Sequence, residues 1–398
     1  MKRTLTILIL VLIQTFFSQG ISKKWDSERF SDISLGKFYF SYWTNPVHFN
    51  ENFILNYKIR YDLLVFEKVR YDTFLSRIKV ILEISNNELS TVSRNIQEVK
   101  IKCSDYEQTV SKDLYYTGVF KLNLPLRELR GRISIIDEKS QKEILARNFT
   151  FNLKAEDQNF VPIFIKSDNI QKFLSDEIQS EFYNFLPFET NTYYLVLPLS
   201  PKFESIVIKD EQIKYELKRE EKFGLNYSIF ILDTLELIEG KYFIELNTSN
   251  VKKDFFVIWL NKPEYLWNLE KASKILNYIF PGDELHLLNN SSRKSHLREF
   301  YKLWKKFDPT PKTAFNELMF EYYKRADFAN MEFRSVSQPD GALTDRGKIY
   351  IIYGPPQKIE RTFTQDGRAL ETWYFYSPIN KTLKFFDVNK NGNYILQQ

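Results

Sequence analysis

The C-terminal third of the chain contains polar side chains of the kinds that catalysis or ligand binding requires. The candidates are Asp308, Asn316, Glu317, Arg325, Thr344, Asp345, Arg346, Tyr353 and Glu371. Two facing carboxylates can act as general acid and base, and arginine, amide and tyrosine groups can bind a polar ligand. The same residues can instead form a buried network of ion pairs and hydrogen bonds that fixes a helix on a sheet. We favour this second interpretation.

Thr344 and Asp345 follow a turn at Asp340-Gly341. Short polar side chains in such a place bond to the local backbone, so we expect them to order the entry into a strand over Lys348–Tyr353. We expect the Asp345 carboxylate to lie near Arg325 or Arg346. A ligand-binding or catalytic role for Thr344 and Asp345 is the alternative.

Several motifs near the C-terminus resemble the GWxTD domain, a bacterial family. They are WKKFDPTPKTAFNE at 304–317, GALTDRGKIYIIYGPP at 341–356, ETWY at 371–374, Asp387, and GNYIL at 392–396. Ala342 stands at the tryptophan position of the family motif. If that tryptophan binds a ligand by stacking in relatives, this chain lacks the stacking surface. The resemblance implies a C-terminal domain but no particular activity.

The elements that position these residues form an α+β domain over residues 262–398. Apolar residues at helical spacing predict helices over Trp267–Ile279 and Ser292–Lys306. A third helix, capped by Thr310 or Thr313, extends to Phe333 and buries Phe315, Leu318 or Met319, Tyr322, Ala326, Ala329 and Phe333. On its polar side, Glu321 and Arg325 have the spacing of a salt bridge. Turns at 365–368 and 389–393 then predict an antiparallel meander.

Two earlier regions alternate apolar and polar residues with the period of β-strands. Leu55, Tyr57, Ile59 and Tyr61 are typical of the first region. This pattern predicts a multidomain, mainly β protein with two antiparallel immunoglobulin-like β-sandwiches, over residues 36–155 and 160–260, before the α+β domain. We expect no helix in the first sandwich, and Ser167–Phe185 in the second has the spacing of a possible helical insertion.

The first twenty residues have the composition of a secretory signal peptide. Met1-Lys2-Arg3 is basic, Leu5–Phe17 is mainly apolar, and Ser18-Gln19-Gly20 places small residues at a cleavage site. The apolar run is shorter than the roughly 20 residues that a membrane-spanning helix needs. We predict cleavage after Gly20, export to the periplasm or the outer membrane, and no stable membrane span in the mature chain.

Charge and cysteine content exclude several classes of protein. Lys and Arg number 56 against 51 Asp and Glu, for a net charge of +5, and both signs are interspersed. A nucleic-acid-binding protein would show a clustered basic face, so we predict no nucleic-acid partner. The single cysteine, Cys103, excludes an internal disulfide and is predicted to be buried on the inward face of a strand.

The motifs of common cofactor and metal sites are absent from the sequence. Its three histidines, His48, His286 and His296, lack the spacing of metal ligands. Gly354-Pro355-Pro356 lacks the backbone donors of a phosphate-binding loop, and no G-x-S-x-G motif occurs. We therefore predict no metal and no cofactor.

These observations favour an exported, non-enzymatic envelope protein. The two β-sandwiches would act as spacer and interaction modules, and the C-terminal domain would recognise another protein or an envelope polymer. The alternative is a hydrolase that acts on an envelope glycan or peptide through Asp345, Glu317 or Glu371. The sequence leaves the oligomeric state open.

Overall fold

A computed structural model of the chain describes residues 36–44, 50–154, 160–174, 181–197, 204–220, 227–233, 235–246, 251–292 and 295–397. It divides into two compact units, one ending at Asn261 and the other beginning at Lys262. The predicted signal peptide and its cleavage site lie outside the described residues.

The first half of the N-terminal unit consists mainly of strands. These are β1 (Phe38–Thr44), β2 (Phe53–Arg60), β3 (Glu67–Arg70), β4 (Thr73–Ser85), β5 (Thr91–Cys103), β6 (Tyr115–Leu122), β7 (Glu128–Asp137) and β8 (Glu143–Asn152). Strands β1, β2 and β6 form one antiparallel sheet, and the others form a second. The expectation of no helix here is wrong, because a 3-10 turn at Tyr61–Leu63 and α1 (Tyr106–Thr109) interrupt the strands. Asp105 caps α1 by accepting a hydrogen bond from the Gln108 N–H.

Alternate residues of these two sheets share one hydrophobic core. Leu55 and Tyr57 of β2 belong to it, together with Val80 of β4 and Ile133 of β7. Since successive residues of a strand point to opposite faces, this packing explains the period-two pattern of the sequence. Cys103 is buried at the end of β5, as predicted, and burial raises the pKa of its thiol.

The second half of this unit adds two further sheets. Its elements are β9 (Ile163–Lys166), a 3-10 turn (Ser167–Asn169), α2 (Ile170–Leu174), β10 (Phe182–Tyr183), β11 (Leu186–Pro187), β12 (Tyr193–Leu197), β13 (Ser205–Lys209), β14 (Lys214–Lys218), β15 (Ser228–Ile231), β16 (Gly240–Leu246) and β17 (Lys252–Ile258). One sheet has the order β10-β9-β12-β15, and the other has the order β11-β17-β16-β13-β14. The possible helical insertion is thus helical over Ser167–Leu174, and strand β10 follows.

The β1-β2-β6 sheet also packs on the β9-containing sheet. Trp43 and Ile54 share a hydrophobic core with Ile163, Val196 and Ile229. Ile54 lies between Phe53 and Leu55 in β2, so it points to the opposite face from those two residues. The prediction of a mainly β chain with several antiparallel sheets is confirmed.

The C-terminal unit places its helices first and its strands last, as predicted. After a 3-10 turn (Glu264–Trp267), it contains α3 (Leu269–Lys274), a second 3-10 turn (Ile275–Tyr278), α4 (His286–Asn289), α5 (His296–Lys305), α6 (Glu317–Glu332), a third 3-10 turn (Gly341–Leu343) and α7 (Asp345–Tyr353). The strands β18 (Lys358–Phe363), β19 (Ala369–Phe375), β20 (Lys381–Phe386) and β21 (Ile395–Leu396) then form one antiparallel sheet in chain order.

Helix α6 begins later than the sequence pattern predicted. Asn316, rather than Thr310 or Thr313, is its cap, and the Asn316 Oδ1 accepts a hydrogen bond of 2.8 Å from the Met319 N–H. The expected core face is buried, with Met319 in place of Leu318. Tyr323, which the pattern did not single out, is buried as well.

The strand predicted over Lys348–Tyr353 is wrong, because this segment is part of α7. Ile349, Ile351 and Ile352 are β-branched, and the sequence pattern predicted a strand here because such residues favour strands. The local capping signal decides the outcome. Thr344 caps the helix, and Gly354 ends it with a φ of 80°, a conformation that glycine adopts without strain.

Candidate functional site

The turn at Gly341 and Ala342 is packed tightly against α6. A Cβ atom at position 341 would lie 2.2 Å from the Ala329 carbonyl oxygen, so only glycine fits there. The Ala342 side chain is fully buried, and the Ala342 carbonyl accepts a hydrogen bond of 3.1 Å from the Tyr278 hydroxyl. Position 342 is therefore part of the interior and offers no open surface for stacking on a ligand.

Thr344 joins this turn to the first turn of α7. Its hydroxyl donates to the Gly341 carbonyl oxygen at 2.8 Å and accepts from the Gly347 N–H at 3.0 Å. The Thr344 side chain is buried. Both of its hydrogen bonds go to the backbone, so Thr344 acts as a helix cap in this geometry.

Asp345 bonds to the backbone of β21 instead of to an arginine. Its Oδ2 accepts a hydrogen bond of 2.8 Å from the Leu396 N–H in β21. The predicted contact with Arg325 or Arg346 is therefore wrong. The sequence pattern missed this contact because Leu396 is 51 residues away and offers only its backbone.

Glu371 is the centre of a buried polar network on β19. It is 5% exposed, and it accepts hydrogen bonds from Arg361 Nε at 3.0 Å, Arg346 Nη1 at 3.4 Å and Trp373 Nε1 at 3.1 Å. The Arg346 guanidinium also lies 4.0 Å from the centre of the Tyr394 ring. Arg346 and Glu371 thus meet between α7 and the sheet, where they form a helix-to-sheet ion pair.

Arg325 and Tyr353 lie in two further contacts of α6 and α7. The Arg325 Nε donates to Glu321 at 2.8 Å, which confirms the salt bridge predicted from their spacing. The Lys381 ammonium donates to the Tyr353 hydroxyl at 2.7 Å. The hydrogen bonds of Arg325 and Tyr353 do not include Asp345 or Glu371.

Asp308, Asn316 and Glu317 lie at the junction of α5 and α6. The Asn316 amide donates to the Trp304 carbonyl oxygen at 2.8 Å, so this residue ties the two helices together in addition to capping α6. Thr310 bonds to both carboxylates: its N–H donates to Asp308 at 2.9 Å, and its hydroxyl donates to Glu317. These three residues shape the interhelical turn.

Sequence reasoning missed a second polar group, around Asp340. Its carboxylate accepts from the Ala342 N–H at 3.1 Å, the Tyr265 hydroxyl at 3.1 Å and the Lys271 ammonium at 2.9 Å. Burial, with the charges of Asp340 and Asp345, raises the pKa of Tyr278 to about 12. The only sequence signal for this group was the Asp340-Gly341 turn.

The described residues contain no group of histidine, cysteine and acidic side chains that would hold a metal ion. His296 lies between two serines: its Nδ1 is 2.8 Å from the Ser291 hydroxyl, and its Nε2 is 3.2 Å from the Ser273 hydroxyl. Both hydroxyls also donate to helix carbonyl oxygens, which places this group within the packing of α3 against α5.

The Asp345 contact predicts different outcomes for two substitutions. Asp345→Ala removes the acceptor of the Leu396 N–H and a negative charge at a helix N-terminus, so we expect a loss of about 1–2 kcal/mol. Asp345→Asn keeps an oxygen that accepts the hydrogen bond, so its loss stays within about 1 kcal/mol. Hydrogen exchange of the α7 amides in the full chain measures both. Asp283→Ala, at an exposed position, is the control. An unchanged stability of Asp345→Ala would contradict the contact.

Residues 240–398 match the family model of the GWxTD domain. The resemblance seen in the sequence motifs is therefore confirmed for the C-terminal region, and the matched stretch begins at β16, before the C-terminal unit. No curated protein matches the chain.

Proposed function

We propose that this protein is an exported, non-enzymatic component of the cell envelope whose GWxTD domain recognises another protein. The observation that carries the proposal is the burial of Glu371, one of the candidate carboxylates. A general acid or base must reach the substrate with a free oxygen. Glu371 is instead buried among three donors, and one of the two Asp345 carboxylate oxygens, Oδ2, is bonded to the backbone of β21.

Export is supported by the order of basic, apolar and small residues over Met1–Gly20. Within the described part of the chain, no helix has the length and apolar character needed to cross a membrane. The mature chain would then act in the envelope.

Cell fractionation combined with chemical crosslinking tests this proposal. We expect the full-length gene product to appear in the envelope fraction with a mass that corresponds to cleavage after Gly20, and to crosslink to another envelope protein. A Leu10→Arg variant, which breaks the apolar run, is the matched control and should stay in the cytoplasm. If the unmodified protein retained Met1 and were found outside the envelope fraction, the result would contradict export.

The hydrolase alternative predicts a different result for the purified chain. A hydrolase would release new ends from envelope glycans or peptides, and a folded Asp345→Asn variant would lose that activity. We expect no such products.

A further inference from the structure

The C-terminal sheet has a free edge at β18. In the order β18-β19-β20-β21, no described strand pairs with the outer side of β18. Five of its six residues are exposed and the other is half-buried. The opposite edge, β21, spans only two residues and is tied to α7 through Asp345. Strand β18 is therefore the long open edge of this sheet.

The hydrogen-bond phase of the sheet shows which groups of β18 face outward. The Thr364 N–H donates to the Arg368 carbonyl oxygen, and the Asp387 N–H donates to the Ala369 carbonyl oxygen. Every second residue of an antiparallel strand bonds to the same neighbour. Thr364 bonds toward β19, so every second residue back from it along β18 also bonds toward β19. Ile359, Arg361 and Phe363 alternate with those residues, so they direct their N–H and C=O groups away from β19. These are the groups to which an added strand would bond.

The side chains of the same three residues lie on one face of the strand. The Arg361 bond to Glu371, its register partner on β19, identifies that face. Ile359 is 41% exposed and Phe363 is 77% exposed. The Arg361 side chain is 73% exposed. It donates to Glu371 through Nε, and its two terminal nitrogens do not bond to that carboxylate. The edge thus presents a cation between two apolar side chains.

We propose that this edge binds an extended segment of a partner protein, which pairs with β18 as a fifth strand of the sheet. Side chains directly opposite each other on paired strands lie on the same face and interact. The partner segment therefore carries an acidic residue opposite Arg361, with apolar residues two positions before and two positions after it. This proposal rests on the recognition function proposed above and specifies its surface.

A second copy of the chain fits this edge poorly. Because Ile359, Arg361 and Phe363 carry the outward backbone groups, antiparallel pairing of β18 with itself must set these residues opposite one another. The two such registers with the greatest overlap place Arg361 opposite Arg361 or Glu360 opposite Glu360. Like charges directly opposite each other destabilise strand pairing. The charge pattern therefore favours a different, acidic segment over self-association.

Peptide binding to the full-length mature chain tests the proposal. The probe is a nine-residue labelled peptide with a central glutamate and a valine two residues away on each side, the remaining positions being threonine. The matched probe has lysine in place of the glutamate. We expect the glutamate peptide to bind about fivefold more tightly at low salt, and salt to reduce this preference.

Two variants separate side-chain from backbone recognition. Arg361→Gln should bind both peptides equally, since its amide still reaches Glu371 but carries no charge. Phe363→Pro removes an outward N–H at a position where an edge strand tolerates proline, and it should weaken both peptides at least about tenfold. Val336→Ser, at a residue that is 92% exposed elsewhere in the unit, should leave binding unchanged.

Three results would overturn the proposal. One is equal binding of the two peptides by the parent chain, and another is parent-like binding by Phe363→Pro. The third is self-association of the parent chain that Phe363→Pro abolishes, which would assign the edge to a second copy. If Phe363→Pro still crosslinks to the envelope partner, the edge proposal fails and the recognition function stands. If the parent chain crosslinks to no partner, the recognition function itself fails.

Discussion

Replacing Gly347 with alanine is expected to destabilise the C-terminal unit by on the order of 3 kcal/mol or more. A Cβ atom at this position would lie 1.9 Å from the Gly341 carbonyl oxygen and 3.0 Å from the Ala342 Cα. Both are backbone atoms, which cannot rotate away, so α7 must separate from the Gly341 turn. Hydrogen exchange of the α7 and β19 amides in the full chain measures the loss.

Gly282 provides the matched control for this substitution. A Cβ atom there would meet no heavy atom within 4 Å. We therefore expect Gly282→Ala to stay within about 0.5 kcal/mol of the parent. If Gly347→Ala were as stable as Gly282→Ala, the close packing of α7 on the Gly341 turn would be wrong.

Glu371→Ala is expected to cost about 3–5 kcal/mol, because it leaves the largely buried Arg346 guanidinium without its carboxylate. The buried Trp373 Nε1 loses its acceptor in the same variant. Amide exchange in β19 and β20 reports the effect.

Arg361→Ala serves as the control, because it removes the exposed partner of the same carboxylate. Water screens the Arg361 charge, so we expect a loss below about 1 kcal/mol. Comparable losses in Arg361→Ala and Glu371→Ala would show that burial of the Arg346–Glu371 pair contributes little.

Much of the fold follows from local sequence patterns. The alternation of apolar residues in β2 and β4 predicted strands because each strand buries one face in a common core. The turn over Gln365–Arg368 predicted the β18-β19 hairpin, and the apolar stripe of α6 predicted its buried face. In these elements, local preference and tertiary packing agree.

The segment after Thr344 was mispredicted because two local signals conflict there. Ile349, Ile351 and Ile352 favour a strand, while Thr344 and Gly354 are typical of helix ends. The contacts of α7 with α6 settle the conflict, since Ile349 and Ile351 are buried in the helical conformation. Such long-range packing is not encoded in the spacing of neighbouring residues.

The candidate site was predicted only in part. The family-like motifs include Arg346 and Glu371, which lie together in the structure. Asp345 was assigned an arginine partner because sequence reasoning matches charge with charge. The observed partner is the backbone of Leu396, which is not distinguished by any side-chain signal. Arg361 was missed because its contact depends on the register of β18 on β19.

The structural role of these carboxylates is tested most directly by a double-mutant cycle on Arg346 and Glu371. Arg346→Met, Glu371→Gln and the double variant are made in the full chain, and the unfolding free energy of the C-terminal unit is measured for each. Methionine retains packing beside Tyr394, and glutamine retains an acceptor for Trp373. We predict a coupling energy of at least about 1 kcal/mol between the two positions. A coupling energy near zero would contradict a structural ion pair at this position.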